Sequence, residues 1–170
     1  DRRNSDGFFK AGSLMFRIRD YKEAENVFNY LVNVTPNYPG AHRFLSKIYE
    51  QQNKKTQAIE AMEKEVKNNP SNYKFILELA QLYMKYEQYE KAIERLQLVS
   101  NLPSLNKAPE FVYDKIRAYL LLSRSYRNIN KAESAEAAVR LAMEIDPSDP
   151  ELHKELGYVY YALQRDKEGV

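Results

Sequence analysis

Two histidines, one serine–lysine pair and a few closely spaced carboxylates are the groups in this chain that could do acid–base, nucleophilic or metal chemistry. His42 and His153 are its only histidines. Each falls at a large apolar position opening a helical unit, which predicts a packed, hydrogen-bonded structural role rather than catalysis or metal ligation. Ser71 and Lys74 have the spacing of a nucleophile and its base, yet Ser71 follows Pro70, where a helix cap belongs. Glu63/Glu65 and Glu133/Glu136 fall on helix surfaces, where carboxylates support solubility and i,i+4 pairing. Asn33-Val34-Thr35 fits the glycosylation triplet but ends a helix before Pro36, and is discounted. The chain has no cysteine, so thiolate chemistry and disulfides are excluded. No glycine-rich phosphate loop and no histidine–carboxylate metal motif occurs. The expectation is a non-enzyme with no catalytic residue, no metal and no cofactor.

The elements that would position any binding residues are legible in a repeat. Ala24, Ala58 and Ala92 lie 34 residues apart, and Ala135 follows after 43. Twelve residues before each alanine stands a small residue: Gly12, Ser46, Ala80 and Ser123. Four after each come Phe28, Met62, Leu96 and Val139. Pro36, Pro70 and Pro147 close three units, and Pro103 falls one residue short of the matching place. Ile76, Leu79 and Tyr83 share one helix face by their i, i+3, i+7 spacing, and Ala92, Leu96 and Val99 share another. Facing small residues such as Ala80 and Ala92 let two helices approach closely. Asp20…Glu23, Asn130…Glu133 and Ser148…Glu151 are candidate helix-start caps.

Composition agrees with an all-helical reading. Charged residues make up 29% and apolar ones 44%, with only five glycines in 170 residues. A net charge of +2 is too small to argue for nucleic acid or a membrane surface, and no recognised RNA-binding module is present. No run approaches the roughly 18 apolar residues of a membrane-spanning helix. The absence of cysteine suits the cytosol and a periplasm equally. The chain opens at Asp1 without Met, so an upstream segment removed by processing is compatible with it.

The pattern resembles the tetratricopeptide repeat family. Phe8, Ala11, Gly12, Met15, Ala24, Phe28, Leu31 and Pro36 fill its motif in the first unit. Ile76, Leu79, Ala80, Tyr83, Ala92, Leu96 and Val99 fill it in the third, and Tyr119, Leu122, Ser123, Tyr126, Ala135, Val139, Ala142 and Pro147 in the fourth. A fifth begins with His153, Leu156, Gly157 and Tyr160. The resemblance implies one domain over 1–170, a right-handed α-solenoid of antiparallel helix pairs. Its repeats are expected near 5–38, 39–72, 73–106 (with an extended loop to 115), 116–149 and an incomplete 150–170. Glu65 stands where the family prefers a small apolar residue, so Val66 is expected to pack in its place. Nine extra residues around Asn101–Pro109 precede a long helix over Glu110–Arg127. Arg165–Val170 reads as the start of a further helix, and the natural chain is expected to continue beyond it.

The resemblance also implies that first helices line an inner wall that binds protein segments. The lining positions give Phe9, Phe16, Arg17, Arg43, Lys47, Lys74, Leu77, Gln81, Met84, Lys85, Arg117, Leu120, Arg124, Arg127 and Lys154, together with Asp6, Glu50 and Glu151. Nine of these are basic and three acidic, a wall of +6 within a chain of +2. The implied partner is an acidic or amphipathic protein segment with apolar anchors, met by a salt-sensitive encounter. The chaperone-tail carboxylate clamp is rejected, since its positions hold Phe9, Ser13, Phe44, Lys74 and Glu78. Tyr158, Val159 and Tyr161 on the last helix form a candidate self-association face, giving a homodimer. Assembly into a larger complex through the chain's ends, or service as the accessory repeat region of an enzyme, are the alternatives.

Overall fold

The computed structural model describes residues 2–103 and 109–168, with side chains over 4–103 and 109–164. Among the described residues there are nine helices and no strand. They are α1 (Arg2–Arg17), α2 (Tyr21–Val34), α3 (Ala41–Gln51), α4 (Lys55–Asn68), α5 (Tyr73–Lys85), α6 (Tyr89–Ser100), α7 (Pro109–Asn128), α8 (Ala132–Ile145) and α9 (Pro150–Glu168).

One turn joins the helices of each complete pair. Arg19, Asn53, Glu87 and Asn130 all have positive φ, between 57 and 65°, on the same 34-, 34- and 43-residue steps as the alanines. The N–H of the next residue (Asp20, Lys54, Gln88, Lys131) reaches back five residues to the carbonyl of Met15, Tyr49, Tyr83 or Tyr126, each at 2.9 Å. That bond closes the first helix. The carbonyls of Asp20, Lys54, Gln88 and Lys131 then accept the N–H of Ala24, Ala58, Ala92 and Ala135 at 2.9–3.1 Å, opening the second helix. A left-handed non-glycine residue costs roughly 1–2 kcal/mol, and the paired bonds hold it there four times over.

The caps differ in part from the sequence expectation. Asp20 caps α2, accepting from the Glu23 N–H at 3.1 Å. Asn72 rather than Ser71 serves α5, accepting from the Lys74 N–H. Asp149 rather than Ser148 serves α9, accepting from the Glu151 N–H. Asn130 is the left-handed turn residue, so its side chain cannot cap α8, whose N-cap is Lys131.

The chain packs as two compact units, Asp1–Phe75 and Ile76–Val170. In the first, α1 packs on α2, α2 on α3 and α3 on α4. Its core is aromatic: Phe28 and Phe44 stack at 4.8 Å, with Phe9 and Phe16 edge-on to Phe44 at 5.4 and 5.5 Å. Glu65 corrects the expectation that Val66 would take its place. The carboxylate is fully buried and accepts from the backbone N–H groups of Gly40 (2.8 Å) and Arg43 (3.1 Å) and from the Asn69 amide (2.8 Å). Gly40 precedes α3 with φ 88°, so its open N–H groups turn toward that carboxylate.

In the second unit α6 packs on α7, α7 on α8, and α9 on both α7 and α8. Ile116, Val139, Ala142 and Leu152 form its core cluster, with Leu120 and Leu156 packed against it. Helix α7 has 20 residues against 13 in α5, and its added turns are fastened rather than bare. Phe111 is buried, Lys115 Nζ donates to the Leu102 carbonyl, and Tyr119 Oη donates to that of Ser100. The centre of the loop before it, 104–108, lies outside the described residues. Helix α9 runs on to Glu168, so the second helix expected from Arg165 does not begin there. It buries Leu152, Glu155 and Val159, an i, i+3, i+7 stripe facing α7 and α8.

Gly12 and Gly157 hold equivalent places with opposite surroundings. A Cβ on Gly12 would stand 2.9–3.2 Å from the Phe28 ring, while one on Gly157 would meet nothing within 4 Å. Gly157→Ala is therefore expected to stabilise the chain by about 0.5–1 kcal/mol through helix propensity. Gly12→Ala should lose that gain to overpacking. Thermal melts of the two variants check the contrast.

Candidate partner-binding site

The residues expected along an inner wall divide between the two units and meet different fates. In the first unit Phe9 and Phe16 are half-buried and pack with the aromatic core. Arg17 is exposed, and Arg43 and Lys47 are half-buried on α3; Lys74 opens α5 and is exposed. In the second unit Leu77 is only 2% exposed and so cannot reach a partner. Its neighbours Ile76, Leu79, Leu82 and Tyr83 are buried too. Leu120 is half-buried against the α7–α9 core. Arg117 and Lys154 are exposed.

Five of the expected residues come together. Gln81, Met84 and Lys85 of α5 and Arg124 and Arg127 of α7 line one cavity of about 380 Å³, with Tyr89, Leu121 and Asn128. The i, i+3/i+4 spacing of Gln81, Met84 and Lys85, and of Arg124 and Arg127, puts each set on one helix face. Met84, Tyr89 and Leu121 give that wall apolar surface, and the basic groups give it charge.

Its electrostatics rest on a residue outside the expected lining positions. Glu155 of α9 is 1% exposed and binds both arginines. Arg127 Nε lies 3.2 Å and Arg124 Nε 3.5 Å from its carboxylate, and the Ser123 hydroxyl donates at 3.3 Å. Arg124 also holds Glu151 at 2.7 Å. Arg127 stands over the Tyr158 ring at 5.2 Å. Two charges that would have faced a partner freely are thus oriented by acids from the next helix. The face shared by Leu152, Glu155 and Val159 is the signal for Glu155, whose place in the repeat is that of half-buried Phe44 in the second pair.

The proposed self-association face is corrected in its middle. Val159 is fully buried on the stripe facing α7 and α8, whereas Tyr158 and Tyr161 are exposed.

A second cavity, of about 440 Å³, lies among α2, α3 and α4 and includes Asn29, Asn33, His42, Tyr49, Glu60 and Lys64. Burial, then the nearby Lys64 charge, lowers the His42 pKa below its ordinary 6.5, with the Pro36 carbonyl opposing. His153 is not packed as expected. It is exposed, with Nε2 2.8 Å from the Pro147 carbonyl. Among the described residues no cluster of acidic or histidine side chains could hold a metal ion, and no helix is long and apolar enough to cross a membrane.

Three family models described as "Tetratricopeptide repeat" match residues 9–73, 52–121 and 116–149. The chain belongs to the tetratricopeptide repeat family. Among solved structures it is similar to MamA protein (TM-score 0.78, 20% identity, 98% of this chain and 87% of that one). It is also similar to Pseudomonas aeruginosa PilF (TM-score 0.72, 15% identity, 96% and 70%). A third is YrrB, described as a TPR protein with an unusual peptide-binding site (TM-score 0.70, 16% identity, 92% and 76%). These likenesses establish the all-α helical-repeat solenoid fold. Among curated proteins, the E3 SUMO-protein ligase RanBP2 of Pan troglodytes is 26% identical over 164 residues, 96% of this chain and 5% of that protein. The human RanBP2-like and GRIP domain-containing protein 3 is 28% identical over 118 residues, 66% and 7%. The chain therefore spans less than a tenth of these relatives. Such repeats serve as protein-interaction scaffolds.

Proposed function

We propose that this tetratricopeptide repeat chain is a scaffold that binds an acidic or amphipathic segment of another protein along its basic first helices. The observation that carries the reading is the α5–α7 cavity, where Lys85, Arg124 and Arg127 stand beside Met84 and Leu121. Mixed basic and apolar walls suit a segment with carboxylates and one or two apolar anchors. Arg117 and Lys154 add positive charge on first helices of the same unit, Arg17, Arg43, Lys47 and Lys74 do so in the first unit, and such charge would steer the encounter. Neither a catalytic role nor a cofactor forms part of this reading. The RanBP2 relative is an E3 SUMO-protein ligase, but the match covers 5% of it, so that activity is not carried over to this chain.

The test uses a fluorescent amphipathic peptide of glutamate, leucine and phenylalanine beside its glutamine counterpart. The glutamate peptide should bind more tightly, and weaken as salt rises. Lys85→Glu with Arg117→Glu should lower its affinity at least about tenfold, with helical circular dichroism unchanged. Equal binding of the two peptides would overturn the reading.

A second reading is assembly through the chain's end. Tyr161 is 65% exposed, Tyr158 and Tyr160 are also exposed, and open space surrounds Gly157. Homodimerisation would then use Tyr158 and Tyr161. Light scattering checks it: a dimer that Tyr161→Glu dissociates would favour this reading, and a monomer at all concentrations would remove it.

A further inference from the structure

We infer that Arg124 is the carboxylate-binding point of the α5–α7 cavity, and that Glu151 occupies it in the free protein as a built-in stand-in for a glutamate side chain of the partner. The inference rests on the groove reading above and names the chemistry of its anchor. Two acids reach the arginines of this cavity, and they differ in kind. Glu155 is buried, shared by Arg124 and Arg127 and reached by the Ser123 hydroxyl, so it is part of the framework that aims both guanidinium groups. Glu151 is 54% exposed, with one guanidinium contact, 2.7 Å from Arg124 Nη2. Solvent-exposed ion pairs of that sort are weak and exchange readily.

Glu151 stands in the first turn of α9, so what Arg124 holds now is a side-chain carboxylate presented from a helical turn. A partner glutamate arriving from the cavity side would meet the same Nη2 edge. Its apolar neighbour would lie against Met84 and Leu121, which line the cavity beside Arg124. Glu151 would then turn to solvent. The site thus selects a glutamate flanked by an apolar residue, and its affinity is set by competition with the protein's own acid.

The experiment measures binding of the amidated glutamate–leucine–phenylalanine peptide by fluorescence anisotropy. Removing the competitor with Glu151→Gln should tighten binding about two- to fivefold, the equivalent of one exposed ion pair, and leave the glutamine peptide unchanged. Arg124→Gln should abolish the preference for glutamate in both backgrounds, while Arg124→Lys should keep part of it. Unchanged or weaker binding by Glu151→Gln, with the glutamate preference of the wild type intact, would overturn the exchange and leave the groove reading standing. A stronger preference for a free C-terminal carboxylate than for an internal glutamate would also overturn it. Loss of all glutamate preference in the wild type would sink the groove reading itself.

Discussion

Replacing Glu65 with alanine is expected to destabilise the chain by about 3 kcal/mol. The carboxylate satisfies the Gly40 and Arg43 N–H groups at the start of α3 and the Asn69 amide. Alanine would leave buried donors unpaired, at about 1–3 kcal/mol for each, and open a void in place of a fully buried side chain. A melting temperature lower by about 6–12 °C would be the readout. Glu65→Val should not rescue it, because an apolar side chain of the family's preferred kind supplies no acceptor. Acid titration adds a second readout. Burial outweighs the opposing backbone donors and raises the Glu65 pKa above its ordinary value. The folded chain therefore keeps that proton at pH values where the unfolded chain has released it. This contribution is fully present below the ordinary glutamate range and is lost as pH rises through the raised value. Glu65→Ala should lack that component of the slope.

Arg127→Met is expected to cost more than Glu155→Gln, although both break the same pair. Removing Arg127 leaves Glu155, 1% exposed, with the 3.5 Å contact from Arg124 and the Ser123 hydroxyl. Loss of one partner from a buried pair costs about 3–5 kcal/mol. Removing the Glu155 charge leaves arginines whose side chains are 35% and 31% exposed and can turn to water, so about 1–2 kcal/mol is the expected loss. Denaturant titrations of the two variants test the order. Equal costs would mean that Glu155 is not desolvated in solution.

Much of the fold was readable because it is built from local rules repeated at a fixed step. The alanines, the small residues facing them and the hairpin turns all recur with that step, and each depends on neighbours within one helix pair. Caps were read with less success. Ser71 and Ser148 lost to Asn72 and Asp149 one residue later, a shift that spacing alone does not resolve. Leu77, expected along the wall, is buried for a different reason. A lining position says which way a side chain starts, and a large apolar group turns into whatever apolar neighbours it can reach.

The candidate site shows the same division. The family resemblance placed Gln81, Met84, Lys85, Arg124 and Arg127 at lining positions of two first helices. That Glu155 and Glu151 come from α9 to hold those arginines, that Val159 is buried while Tyr158 is not, and that Glu65 closes the start of α3 were decided by contacts between residues 22 to 31 apart in the chain or more broadly by helix packing. The amino-acid order determines helix, turn and repeat because those follow from hydrogen bonds and apolar spacing within a few residues. Charge pairing is settled only when separate helices pack, since a carboxylate's worth depends on the water it loses and the donor it meets.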